Sequence, residues 1–215
     1  MTETKINILP PESLKITAQN ATAAIFFGYF CAYFLFHPML HTPDLRFPIG
    51  EYLKPAEVTD AIWQQFIADI AHLPQQLMAA VEGMTDEQLD TPYRPQGWTC
   101  RQVVHHLADS HINMFTRLKL ALTELLPTIK PYKEADWAEL PDYGLPIAVS
   151  LELLNALHTR WVYLLKSLDA EQRQRGFIHP QYGETFTIDH IIGFYAWHGK
   201  HHTAHITALR QRNGW

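Results

Sequence analysis

The chain has 215 residues, of which 47% are hydrophobic and 18% are charged, a composition typical of one globular domain with a hydrophobic core. Its net charge of −5 offers no basic surface, so we expect no nucleic-acid partner. Cys31 and Cys100 are its only cysteines, which excludes a disulfide framework and a cysteine-based zinc site, and the expected location is the reducing cytoplasm.

Residues 1–38 are predicted to be an N-terminal extension outside the domain. Within it, residues 21–36 (ATAAIFFGYFCAYFLF) are almost wholly apolar but fall short of the ~20 residues of a spanning helix. They also lack the basic region and cleavage site of a signal peptide. The segment is a short membrane anchor, an imperfect signal sequence, or sequence upstream of a true start at Met39. We favour the last interpretation, which places the domain at residues 39–215, and expect membrane contact only if residues 21–36 belong to the protein.

Apolar residues then recur at helical spacing. The first helix is predicted over about residues 57–84 and contains Pro74, which should kink or divide it. The second helix is predicted to begin after Thr99, whose side chain can form a capping box with Gln102, and to end near Thr123.

The last part of the chain supplies two more helices. Ser150 is the predicted N-cap of the third, and residues 176–186 are predicted to form a loop or a small hairpin. Thr187 and Gly214 are the predicted N-cap and C-cap of the fourth. Four amphipathic helices without a convincing sheet predict an all-α fold, a four-helix bundle, with the extra N-terminal hydrophobic segment.

The fourth helix carries the sequence WHGKHHTAH at residues 197–205, which holds four of the 13 histidines. At about 100° per residue, His198, His202 and His205 share its apolar stripe, whereas His201 lies ~80° from the stripe centre. His198 and His202 are one turn apart, so their rings project to the same place. A helix supplies two ligands to zinc with this spacing, and we prefer this pair as metal ligands.

A third ligand is expected from the second helix, which offers three histidines. His106 borders the apolar stripe, His105 points nearly opposite its centre, and His111 lies inside it, as a core histidine would. Spacing alone puts His106 only modestly ahead. The alternative is that all the buried histidines are core residues bonded to carbonyl groups, with His201 in solvent.

Several stretches match a known pattern. They are FPIGEY, DTPYRPQGWTCRQVVHHLADSH, the following FTRLKLALTE, and YAWHGKHHTAHITALRQRNGW. Together they resemble the DinB/YfiT-like family of metal-dependent hydrolases, over roughly residues 47–215. Residues 1–38 remain unmatched.

The resemblance implies a homodimeric four-helix bundle that binds one zinc ion per chain, or nickel in vitro, through three histidines. In this sequence those ligands are His106, His198 and His202. Three neutral imidazoles leave a fourth coordination position open, as in catalytic rather than structural zinc sites.

The predicted activity is therefore hydrolysis of a small-molecule substrate by a water that the metal activates. The alternative is a thiol S-transferase, similar to bacillithiol transferases, which joins a low-molecular-weight thiol to an electrophile, because an open metal position can also deprotonate a thiol. A metal-binding helical protein without catalytic activity would carry the same three histidines.

Three further residues are candidates for the site. Asp109 lies one turn from the His105–His106 pair and is either an acceptor that orients a ligand ring or a solvated carboxylate. Arg94 is a candidate contact for an anionic substrate group, although a loop arginine is more often simply exposed. Cys100 is expected to be a packing residue.

Overall fold

The computed structural model describes residues 44–215, and the predictions for residues 1–38 and for a start at Met39 lie outside the described residues. The described part is mostly helical. Its helices are α1 (Asp60–Val81), α2 (Asp86–Leu89), α3 (Cys100–Thr123), α4 (Glu134–Trp137), α5 (Ala148–Lys166), α6 (Ala170–Gln174) and α7 (Ile188–Asn213). A 3₁₀ turn spans Pro141–Gly144, and two short strands, β1 (Gly176–His179) and β2 (Glu184–Thr187), precede α7.

The four long helices α1, α3, α5 and α7 form the predicted four-helix bundle. Helix α1 packs against α5 and α7, and α3 packs against the same two helices, so α1 and α3 are diagonal to each other. The strands pair antiparallel, with Gly176 opposite Thr187, and this hairpin leads directly into α7. Within residues 44–215, no helix combines the length and the apolar character that crossing a membrane requires.

The bundle has two apolar clusters with a histidine-rich layer between them. One cluster surrounds Trp161, and the other surrounds Leu107. Along α3, α5 and α7 the layer between the clusters contains buried histidines, among them His111, His158 and His198. The polar groups that could perform chemistry therefore lie at the centre of the bundle.

The predicted helix ends are mostly confirmed. Thr99 and Gln102 form the capping box at the start of α3, and Gly214 ends α7 in the left-handed conformation with φ 71°. The prediction that Ser150 caps α5 is wrong, because α5 begins at Ala148 and the Ser150 hydroxyl bonds a histidine instead. Thr187 stands at the N-cap of α7, but its side chain makes no capping hydrogen bond.

Pro74 does not divide α1, which runs without a break from Asp60 to Val81. A proline inside a helix has no N–H to offer the carbonyl four residues earlier, here Ile70. That carbonyl accepts a hydrogen bond from His158 Nδ1 on α5 at 2.6 Å, so a side chain replaces the lost backbone donor.

Glycines allow α7 to approach α1 closely beside the histidine run. A Cβ added at Gly199 would lie 2.6 Å from Leu73 Cδ2, and one at Gly193 would lie 2.7 Å from the Phe66 ring. Because a Cβ at either position would require a neighbouring side chain to shift, these glycines allow His198 and its neighbours to stand close to α1.

Candidate metal centre

Three histidines from two helices converge in the buried layer. His106 lies on α3, and His198 and His202 lie one turn apart on α7. Each offers one ring nitrogen, and these three atoms all lie within 4.8 Å of one another. Nitrogens that share a tetrahedral zinc ion at 2.0–2.1 Å are roughly 3.4 Å apart, so small ring rotations would complete such a site.

Burial keeps these imidazoles neutral. It lowers the pKa of His106 to about 4, and it lowers the pKa values of His198 and His202 well below the ordinary value, with neighbouring histidines adding to the effect. A neutral imidazole has a lone pair to donate, whereas a protonated one has none. The three rings are therefore in the form that binds a metal ion at neutral pH.

Unpaired nitrogens support the same interpretation. Nδ1 of His106 and Nδ1 of His202 are buried and, within the described part of the chain, have no hydrogen-bond partner. A buried polar atom without a partner costs about 1–3 kcal/mol. Two such rings in one cluster fit a site built for a metal ion, which would engage rings that otherwise lack partners.

A chain of hydrogen bonds fixes the tautomer of His198. His158 Nδ1 donates to the Ile70 carbonyl, which can only accept, so Nε2 of this neutral ring accepts from His111 Nδ1 at 2.9 Å. His111 Nε2 then has no proton and accepts from His198 Nδ1 at 3.4 Å. His198 is left with its lone pair on Nε2, and its ring orientation is tied through two histidines to the backbone of α1.

The remaining histidines of the two runs have other surroundings. His105 accepts from the Ser150 hydroxyl at 2.7 Å and donates from Nε2 to the Leu145 carbonyl at 3.1 Å, so it is a satisfied core histidine. His205 donates from Nε2 to the Arg46 carbonyl at 3.1 Å. His201, which the core-histidine alternative placed in solvent, is buried and stacks on Trp197 with ring centroids 4.5 Å apart.

The other candidates lie away from the cluster. The Asp109 carboxylate accepts from the Tyr143 hydroxyl at 2.7 Å, and no described histidine donates to it. Arg94 lies over the Tyr93 ring and donates to the Pro95 carbonyl at 3.0 Å, and it does not line the cavity described below. Cys100 is fully buried, and burial raises the pKa of its thiol to about 11, so it packs the core.

The three histidines form part of the wall of a cavity of about 470 Å³. Trp98 lies beside the cluster, with its ring centroid 4.5 Å from that of His106. The Ser110 hydroxyl, one turn after His106, donates to the Tyr195 hydroxyl at 3.3 Å. Aromatic side chains form much of the remaining wall, namely Tyr132, Phe177, Tyr182, Phe186 and Phe194. The cavity has the size and apolar character of a small-molecule site.

Three residues of the site escaped prediction from the sequence. Trp98 is the last residue of a loop, and helical periodicity does not predict the path of a loop. His158 replaces a hydrophobic residue on the inward stripe of α5, and Arg117 is a charge between Met114 and Leu118 on the inward side of α3. A polar residue inside an apolar stripe is a signal that could have drawn attention to the last two.

Comparison with known proteins places the chain in a family. The sequence model of the DinB superfamily matches residues 69–206. A protein of Bacillus cereus strain B4264, named "Putative metal-dependent hydrolase", is 55% identical over 172 residues, which cover 80% of this chain and 99% of the relative. A protein of the same description from Bacillus mycoides strain KBAB4 is 54% identical over 172 residues.

A solved structure is also similar. It is that of YfiT from Bacillus subtilis, described as "a probable metal-dependent hydrolase with an unusual four-helix bundle topology". The TM-score is 0.78 at 49% sequence identity, covering 80% of this chain and 98% of that chain.

Fold and site together define a four-helix-bundle protein with a buried three-histidine cluster at the wall of a cavity. The chain belongs to the DinB superfamily. The resemblance that the sequence motifs indicated is thereby confirmed, as is the four-helix-bundle fold.

Proposed function

We propose that this protein is a metal-dependent hydrolase that binds one zinc ion through His106, His198 and His202. The observation that carries the proposal is the convergence of three buried ring nitrogens, within 4.8 Å of one another, at the wall of a ligand-sized cavity. The relatives are described as metal-dependent hydrolases, which supports the same class of reaction.

When bound, a zinc ion supplies a Lewis acid that lowers the pKa of a water in its open fourth position to about 7. The chain's own residues do the rest. Neutral imidazoles leave the ion its full charge, and the bonds through His111 and His158 hold the His198 ring in place. Trp98 and the aromatic wall bind the apolar part of a substrate and displace water from it.

A thiol S-transferase is the second candidate, and the composition of the cavity wall favours it. Glu134 is the one carboxylate among the described lining residues, and it is exposed. A hydrolase often uses a carboxylate near the metal as general base, whereas a thiol that binds zinc is deprotonated directly. A low-molecular-weight thiol and an aromatic electrophile would both fit this cavity.

The test uses the full chain without a histidine tag, loaded with zinc. We expect p-nitrophenyl esters to be hydrolysed in proportion to bound zinc, with activity lost after chelation, restored by zinc, and lost in His198→Ala. His105→Ala is the matched control, because it changes a neighbouring buried histidine that has its own partners. Hydrolysis that persists unchanged in His198→Ala would contradict the proposal.

The same preparation separates the two candidates. A thiol S-transferase would consume cysteine and 1-chloro-2,4-dinitrobenzene together in a zinc-dependent manner and leave the esters intact. Zinc binding without either activity would favour a metal-binding protein that is not an enzyme. The homodimer implied by the resemblance stays a prediction, which light scattering on the purified protein would test.

A further inference from the structure

Three arginines of the described chain are at least nine-tenths buried, and one of them differs from the others. Arg101 donates to Asp90 at 2.6 Å and to Asp86 at 2.8 Å, and Arg173 donates to Asp60 at 2.8 Å. Arg117 is 9% exposed, as is Arg101, yet no described carboxylate lies within 4.0 Å of its guanidinium.

A buried guanidinium without a counter-ion is costly. Moving a charged group out of water costs several kcal/mol unless an opposite charge or a full set of hydrogen bonds compensates. Arg117 has five N–H donors, of which Nη2 donates to the Lys130 carbonyl at 3.2 Å, and the guanidinium also lies beside the Tyr195 hydroxyl, which can accept from it. The donors that neither of these oxygens engages are available to a ligand.

Arg117 lines the same cavity as the three histidines. It lies eleven residues after His106 on α3, which is roughly 16 Å along the helix axis. Because long side chains on a helix lean towards its N-terminus, the guanidinium stands closer to the cluster than this distance. The cavity wall thus carries a positive charge as well as the three imidazoles and several aromatic rings.

The other charge on the cavity wall does not neutralise Arg117. The Glu134 carboxylate is exposed and lies beyond 4.0 Å from the guanidinium. A planar guanidinium with free donors matches the two oxygens of a carboxylate in a bidentate arrangement. The partner that suits the free donors of Arg117 is therefore a carboxylate.

We propose that Arg117 binds the carboxylate of the substrate, so that the protein acts on small organic acids with an apolar or aromatic body. The carboxylate lies on Arg117, the body lies along the aromatic wall, and the reacting group faces the three histidines. This inference rests on the proposed function for the reacting end, but the carboxylate subsite itself needs no metal.

The first experiment tests the subsite in metal-free protein by calorimetry, with 4-phenylbutanoate and its neutral amide, 4-phenylbutanamide. We expect the acid to bind at least tenfold more tightly than the amide, as a charge-assisted bidentate contact predicts. In Arg117→Gln the ratio of the two affinities should fall to within threefold of one. In Arg117→Lys the acid should still bind more tightly than the amide, but by a smaller factor than in the wild type. Equal binding of the two probes to the wild type, or an undiminished ratio in Arg117→Gln, would overturn the proposal.

Arg101→Gln is the matched control, since Arg101 is equally buried on the same helix but is paired and lies outside the cavity. It should leave the acid-to-amide ratio unchanged. If Arg117→Gln does not fold, Arg117→Lys decides, because a ratio equal to the wild-type value there would show that the guanidinium does not set the preference.

A second experiment, with zinc-loaded protein, links the subsite to the metal. Octanedioic acid monohydroxamate carries a zinc-binding head and a carboxylate tail, and octanohydroxamate lacks the tail. The tailed probe should bind at least tenfold more tightly to the wild type, and this advantage should disappear in Arg117→Gln. Hydroxamates that bind no better with zinc than without it would contradict the proposed metal site, whereas the metal-free experiment would still decide the role of Arg117.

Discussion

Two groups of histidines lie in the same buried layer and differ in what their ring nitrogens meet. His105, His111 and His158 have a hydrogen-bond partner on both nitrogens. His106 and His202 each have a buried Nδ1 without a described partner. Burial alone therefore does not separate a structural histidine from a candidate ligand, whereas a histidine with partners on both nitrogens has no lone pair left for a metal ion.

The same comparison shows that a free nitrogen is not sufficient. His201 and His205 also have a buried Nδ1 without a described partner. In the described part of the chain, the trio that converges within 4.8 Å is His106, His198 and His202. A metal site needs both conditions, lone pairs without partners and a common point that they can share.

The largest expected effect is loss of the metal ion when a converging histidine is removed. His202→Ala should reduce bound zinc from about one per chain to below about 0.1, because two imidazoles hold zinc far more weakly than three. His105→Ala should retain about one zinc per chain. Mass spectrometry of tag-free protein, after dialysis against zinc and gel filtration, measures both. Equal zinc contents in the two variants would show that the convergence has no bearing on metal binding.

An intermediate loss of zinc affinity is expected when His111 is replaced. Both ring nitrogens of His111 have hydrogen-bond partners, and one of these partners is the candidate ligand His198. In His111→Phe the His198 Nδ1–H loses its acceptor, so the His198 tautomer and orientation are no longer fixed. We expect zinc affinity to fall about 10–100-fold, which is the usual cost of removing such a supporting partner. Competition with a chromophoric chelator measures the affinity.

His111→Gln serves as the control for this prediction, because its amide can still accept from the His198 ring. It should recover part of the affinity lost in His111→Phe. Affinity unchanged in both variants would show that the bond between the two rings does not position His198.

The bundle and the clustered histidines could be predicted from the sequence because both depend on spacings within a single helix. Helical periodicity found the four long helices, and the one-turn spacing of His198 and His202 placed two rings together. The choice of His106 over His105 was different. Both are buried on α3, and the side of the helix alone put His106 only modestly ahead until the family resemblance singled it out.

What the sequence did not predict depends on contacts between distant segments. The bond from His158 to the Ile70 carbonyl joins residues 88 apart, and it exists because Pro74 frees that carbonyl. Helical spacing alone makes Asp109 either an acceptor for a ligand ring or a solvated carboxylate, whereas it accepts from Tyr143 of the loop before α5. The position of Arg94 in a loop makes it a candidate substrate contact, whereas the guanidinium in the cavity is that of Arg117. Periodicity predicts which side of a helix faces inward, but it does not predict which residue of another segment that side contacts.

The smallest expected effect concerns stability and tests the partnered group. Burial lowers the pKa of His158 to about 4, whereas its unfolded value is about 6.5, so the unfolded chain binds more protons between these values. The stability that this group contributes to metal-free protein is fully present above about pH 6.5 and is lost as pH falls towards 4. We therefore expect the Tm of metal-free protein to fall as the pH is lowered from 7 to 4.5. In His158→Phe this decline should be smaller. The Tm of this variant at pH 7 should be below that of the wild type, because the Ile70 carbonyl loses its donor. Scanning calorimetry across this range measures both, and a wild-type Tm independent of pH would show that burial does not hold His158 neutral.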